Sequence, residues 1–145
     1  MNARVAQYLD SLRLTEELRF RFEVLVARCE LLLGTEATAV FASEYIAEDV
    51  GRVYESLFAF TSAFMMEAQV AQEPLDQVDI VPIRASVKHW ILSTTNYDLR
   101  HAGEDSRASA DVWLAENRVA TLRASGRNCD NLLALSIEFI RPNVA

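Results

Sequence analysis

Residues 35–72 read TEATAVFASEYIAEDVGRVYESLFAFTSAFMMEAQVAQ, and the period assigned to this stretch decides the fold. With helical spacing, Val53, Leu57, Phe60 and Phe64 form one apolar stripe, joined by Ile46, Val50 and Tyr54. The opposite side then carries Glu44, Glu48, Arg52 and Glu55. Phe41 and Tyr45 fall on that charged side. This predicts either a break between Ile46 and Gly51, since glycine inside a helix often marks a bend, or two aromatics exposed among carboxylates as a partner site.

The flanking segments also read as helices. Thr15 to Gly34 has a Thr N-cap, Glu16 and Glu17 in its first turn, and a terminal glycine. Leu18, Phe22, Leu25, Cys29 and Leu32 follow one helical face, while Phe20, Val24, Ala27 and Leu31 follow the opposite one. A helix apolar on two sides is either central to a bundle or shared with another chain. Ile80, Ile83, Val87, Trp90, Ile91 and Thr94 suggest a further helix after Pro82, and Ser106 to Ser125 another, stopped by Gly126. Asn131 to Ile140 suits a helix or an alternating strand, and the lack of a second convincing strand favours helix. The expectation is an all-α, single-domain helical bundle of five to seven helices over residues 1–145, with a short strand or hairpin near the C-terminus as the alternative.

Charge sets the function classes. Residues 35–80 hold nine carboxylates (Glu36, Glu44, Glu48, Asp49, Glu55, Glu67, Glu73, Asp76, Asp79) against Arg52. The rest of the chain is nearly neutral, so the net charge of −7 comes from this segment. A net anion repels phosphate-rich partners, which argues against direct nucleic-acid binding and against an anionic membrane surface. No stretch approaches the roughly 18 apolar residues of a membrane span, and the first residues hold no signal-peptide core, so a cytoplasmic protein is expected. Cys29 and Cys129 are too few for a disulfide framework and too far apart for a metal pair.

Candidate chemistry is sparse. Only His89 and His101 could act as histidine bases or ligands. Arg84 and His89 stand at an Arg-x4-His spacing that resembles the catalytic pair of the HEPN family of helical ribonucleases, a match of six residues. That resemblance implies an RNA-cleaving cleft, which the acidic balance opposes. Asp98, His101, Glu104 and Asp105 match no known metal-loop spacing, and no glycine-rich phosphate loop or nucleophile elbow occurs. No catalytic residue, metal or cofactor is therefore expected.

The function that follows is a non-catalytic regulatory, adaptor or inhibitor-type interaction protein. Its acidic, aromatic-containing surface, Phe41, Glu44, Tyr45, Glu48, Asp49 and Glu55, would engage a protein partner with a basic surface. A homodimer or a place in an assembly is expected from the two-faced helix. The alternatives are a helical sensor holding a small apolar ligand between Phe60, Phe64 and Trp90, and a hydrolase or ribonuclease working through His89 or His101.

Overall fold

The structure is a computed structural model that describes residues 1–47, 49, 51–70, 78–83, 86–97 and 102–144, with the backbone alone at 45–47 and 78–81. Its N-terminal helices start where their caps dictate. In α1 (Ala3–Ser11) the Asn2 side chain accepts from Val5 N–H at 2.9 Å. In α2 (Glu16–Leu33) the Thr15 hydroxyl accepts from Leu18 N–H at 3.3 Å, and Gly34 ends the helix with φ at 72°.

Beyond Gly34 the helical expectation fails. Residues 35–72 hold β1 (Ala39–Ala47), β2 (Gly51–Phe60) and β3 (Phe64–Gln69), and β4 (Val78–Pro82) completes a four-stranded antiparallel meander. The helices expected after Pro82 and over 106–125 are instead β5 (His89–Thr95), β6 (Arg107–Leu114) and β7 (Arg118–Ser125), a three-stranded antiparallel meander. The C-terminal element is helical, as α3 (Asn128–Leu135) with a widened turn at Ser136–Ile140. The fold is thus mixed α/β, and the all-α bundle is corrected to three α-helices and two sheets among the described residues.

Burial on both faces explains the error. A strand covered on one side alternates apolar and polar residues, whereas one covered on both sides is continuously apolar and shows no period of two. Leu57, Phe58, Ala59 and Phe60 of β2 are all buried. Val40, Ala42, Leu57, Ala59, Met66 and Ala68 pack under α1 and α2, against Val5, Leu9, Phe22, Leu25, Val26 and Cys29. Phe41, Phe58, Phe60 and Met65 point the other way, into a core shared with α3 and the inner face of β6 and β7. Gly51 supplies the positive φ, 80°, of the β1–β2 hairpin, so the glycine expected to bend a helix reverses a strand instead. None of the helices described is long and apolar enough to cross a membrane.

Candidate functional site

Two strands from different sheets, β1 and β7, lie side by side, and side chains rather than a backbone ladder join them. Ser43 Oγ accepts from Arg123 N–H at 2.9 Å. The Ala42 N–H donates to Tyr8 Oη at 2.9 Å, and the Ala42 carbonyl accepts from Asn128 Nδ2 at 3.2 Å. Tyr8 in turn donates to Asn128 Oδ1 at 2.9 Å. The free edge of β1 is thereby satisfied by side chains, which protects it from pairing with another chain.

Glu44 occupies this seam. The register shifts between Ser43 and Glu44, which pairs Glu44 with Tyr54 and places its side chain beside β7. The residue is only 2% exposed. Its carboxylate accepts the Ser125 hydroxyl hydrogen, while Oε2 lies 3.4 Å from Arg52 Nε, an ionic approach without hydrogen-bond alignment. Burial pushes its pKa above the ordinary carboxylate value, and the Ser125 hydrogen bond, Arg52 and Arg107 oppose that rise. A recess of about 360 Å³ opens here, lined by Glu44, Ser93, Thr95, Arg107, Arg123 and Ser125 together with Ala108, Ser109 and Ala124. It is a hydroxyl-rich hollow with two guanidiniums at its wall. Arg107 Nη1 holds the Glu104 and Ser106 carbonyls at 3.0 and 2.9 Å, and Arg123 Nη1 approaches Glu55 Oε2 at 3.5 Å.

The recess is one end of the outer face of the β5–β6–β7 sheet. Cross-strand rows run Thr95–Arg107–Ser125, Ser93–Ser109–Arg123, Ile91–Asp111–Thr121 and His89–Trp113–Val119. Thr121 Oγ1 donates to Asp111 Oδ1 at 2.8 Å. The face grades from charged and hydroxylated to apolar. At the apolar end Ile91 is 42% and Val119 46% exposed, and the His89 and Trp113 rings lie 5.4 Å apart. The inner face, with Ala108, Ala110, Val112, Leu114 and Leu122, is buried.

Among the described residues, the expected partner-binding positions are not gathered on one exposed surface. Phe41 is fully buried, 6.2 Å from Tyr8 between ring centroids, and Glu44 is buried at the seam, so neither is presented to a partner. Asp49 is exposed at the β1–β2 turn and Glu55 is exposed beside Arg123. The Tyr45 side chain and Glu48 lie outside the described residues. Phe60 is core, 5.2 Å from Phe139, Phe64 is partly exposed on β3, and Trp90 is half-buried on β5 of the other sheet. Glu67 accepts from Ser56 Oγ at 2.7 Å and from Gln69 Nε2 at 3.4 Å. The described carboxylates of the acidic segment, Glu36, Glu44, Asp49, Glu55 and Glu67, are dispersed over strands and turns rather than gathered on one helical surface.

His89 stands on a strand, so the helical-ribonuclease resemblance loses its framework, and Arg84 and His101 lie outside the described residues. Along β5, His89 is six residues from Thr95 and hence roughly 20 Å from the Glu44 recess, too far for an acid–base pair. Burial pushes the Cys129 thiol up to about 11, with Glu44 and Asp130 adding to the rise, so the thiolate is scarce at neutral pH.

Arg107, Arg123, Ser125 and Trp113 escaped the sequence reading. The signal for Arg107 and Trp113 is the alternation of RASADVWL over 107–114, and that for Arg123 and Ser125 the alternation of RVATLRAS over 118–125, both of which also suit a helix. No family model matches the chain, and no curated protein or solved structure matches it.

Proposed function

We propose that this protein is a non-catalytic interaction module that holds a protein partner on the outer face of the β5–β6–β7 sheet. One observation carries the reading: Ile91 and Val119 are exposed and Trp113 is half-buried between them on a sheet face that none of the described elements covers, while the opposite face is core. Exposed apolar clusters with an aromatic centre and a polar rim are the usual form of a docking surface. The chemistry of the rim selects the partner. Arg107 and Arg123 at the recess favour a partner that offers a carboxylate there and an apolar side chain at the Trp113 row. A partner with a basic surface, expected from the acidic segment, has less support, because Glu44 is buried and Glu67 is engaged by Ser56.

The test is gentle purification from the host followed by native mass spectrometry, with wild type, an Ile91→Asp/Val119→Asp variant and a Ser62→Asp control. A protein subunit retained by wild type and control, and lost from the double variant at unchanged melting temperature, supports the reading. A bare chain, a small-molecule adduct alone, or a subunit that survives both substitutions overturns it.

A further inference from the structure

α2 offers a second uncovered surface, on the opposite side of the fold's first sheet from α3. Its inner side, Phe22, Leu25, Val26 and Cys29, is buried on that sheet. Its outer side leaves Phe20 67% and Leu31 81% exposed, with Ala27 exposed and Val24 half-buried between them. Phe20, Val24, Ala27 and Leu31 are spaced four, three and four residues apart, the alternation that keeps one seam facing a partner helix. The seam is about 16 Å long at the helical rise of about 1.5 Å per residue. A groove of about 560 Å³ between Phe20, Val24 and Val70 runs beside it.

The positions directly flanking the seam alternate in charge. Glu16, Glu23 and Glu30 follow one side at seven-residue intervals, with Arg19 outside them, and Arg21 and Arg28 follow the other, with Glu17 one turn before Arg21 at the N-terminal end of the seam. Glu30 is already engaged by the Met1 amino group at 3.3 Å and by Ala37 N–H at 2.8 Å, and Glu23 is shared with Arg19 at 2.9 Å. Arg21 Nε donates to the Val70 carbonyl at 3.0 Å. In an antiparallel pair of such helices, glutamates would oppose glutamates and arginines would oppose arginines. In a parallel pair, Glu16 and Glu23 of each copy face Arg21 and Arg28 of the other. Among these flanking positions the charges are therefore complementary in the parallel orientation only, which also brings Glu17 of each copy together at the N-terminal end of the seam.

We infer that α2 is a homodimer interface, on which a second copy of this chain lays its own α2 in parallel through Phe20, Val24, Ala27 and Leu31. A seam of this length falls at the small end of interface sizes, so the dimer is a concentration-dependent one.

Sedimentation velocity of the full chain from about 1 µM to about 500 µM tests this. The expected result is a monomer–dimer equilibrium whose dissociation constant rises about 30-fold or more in Phe20→Asp, at unchanged circular dichroism. Orientation is read separately with Leu31→Cys, which brings like positions within disulfide reach only in the parallel pair. Because Cys29 and Cys129 are buried, wild type should give no cross-link on mild oxidation, while Leu31→Cys should cross-link to itself. A wild-type monomer throughout the range overturns the proposal, as does a dimer indifferent to Phe20→Asp. Cross-linking of Leu31→Cys only when mixed with Phe20→Cys overturns the parallel arrangement.

Discussion

Ser125 of β7 donates its hydroxyl hydrogen to the buried carboxylate of Glu44 on β1, so a charged group and a neutral one tie two sheets that share no ladder. The bond recovers part of what desolvation of Glu44 costs, and Arg52 at 3.4 Å recovers another part. The remainder appears as a raised pKa.

A raised pKa in the folded state means that the folded chain binds the Glu44 proton more tightly than the unfolded chain does. The associated stability is full below the unfolded carboxylate pKa, near 4.3, and is lost as pH rises through the folded value. Glu44→Gln has no proton to bind. The stability of wild type relative to Glu44→Gln should therefore be greater at pH 5 than at pH 7, read from urea unfolding at both. An identical difference at the two values would show that burial of this carboxyl carries no proton linkage. Glu44→Ala, which leaves the Ser125 hydroxyl without its acceptor, should lose about 1–3 kcal/mol at either pH.

Tyr8 ties α1 to the seam through one oxygen, accepting from Ala42 N–H and donating to Asn128, each at 2.9 Å. Tyr8→Phe keeps the ring and removes both bonds. The Ala42 N–H then has no partner, at a cost of about 1–3 kcal/mol, and hydrogen exchange at Ala42 should accelerate while that at Leu57 and Phe58 in β2 changes little. Unchanged exchange at Ala42 would mean that water replaces the hydroxyl.

Gly51 holds φ at 80° where the chain turns from β1 into β2, and an added Cβ there meets no atom within 4 Å. Space is available but the backbone conformation is not. Gly51→Ala should lose about 1–2 kcal/mol through strain alone, and Gly51→Asn, which tolerates the left-handed region better, should lose less. Equal losses in the two variants would point to some other role for the glycine.

α2 was legible because its signals are local. Thr15, Glu16, Glu17 and Gly34 specify α2 to the residue through hydrogen bonds made within a few positions. The strands were not legible, for two different reasons. β2 is buried on both faces, and the continuous apolar run Leu57–Phe60 contains no periodicity to separate strand from buried helix. β6 and β7 do alternate, but many of their inward residues are alanines, Ala108, Ala110, Ala120 and Ala124, which read as helix formers. The recess followed from that loss. Arg107, Arg123 and Glu44 converge only through cross-strand register and the β1–β7 seam, which are long-range facts. The two-sided apolar pattern of α2 divides in the fold: Phe22, Leu25 and Cys29 are covered by the chain's own first sheet, while Phe20 and Leu31 are exposed.

That pattern yields a contrast within one helix. Phe22 is fully buried, 5.5 Å from the Tyr54 ring in an edge-on pair, whereas Phe20, two residues away, projects outward. Phe22→Ala should cost about 3–5 kcal/mol, the range for a buried phenylalanine whose cavity cannot collapse. Phe20→Ala should change stability by less than about 0.5 kcal/mol, provided that unfolding is followed below micromolar concentration, where dimerisation contributes nothing. Raising the concentration should then separate wild type from Phe20→Ala, because only a pair that binds the folded state raises its stability by mass action. Equal and large losses for both phenylalanines at low concentration would place Phe20 in the core of the single chain and remove the seam.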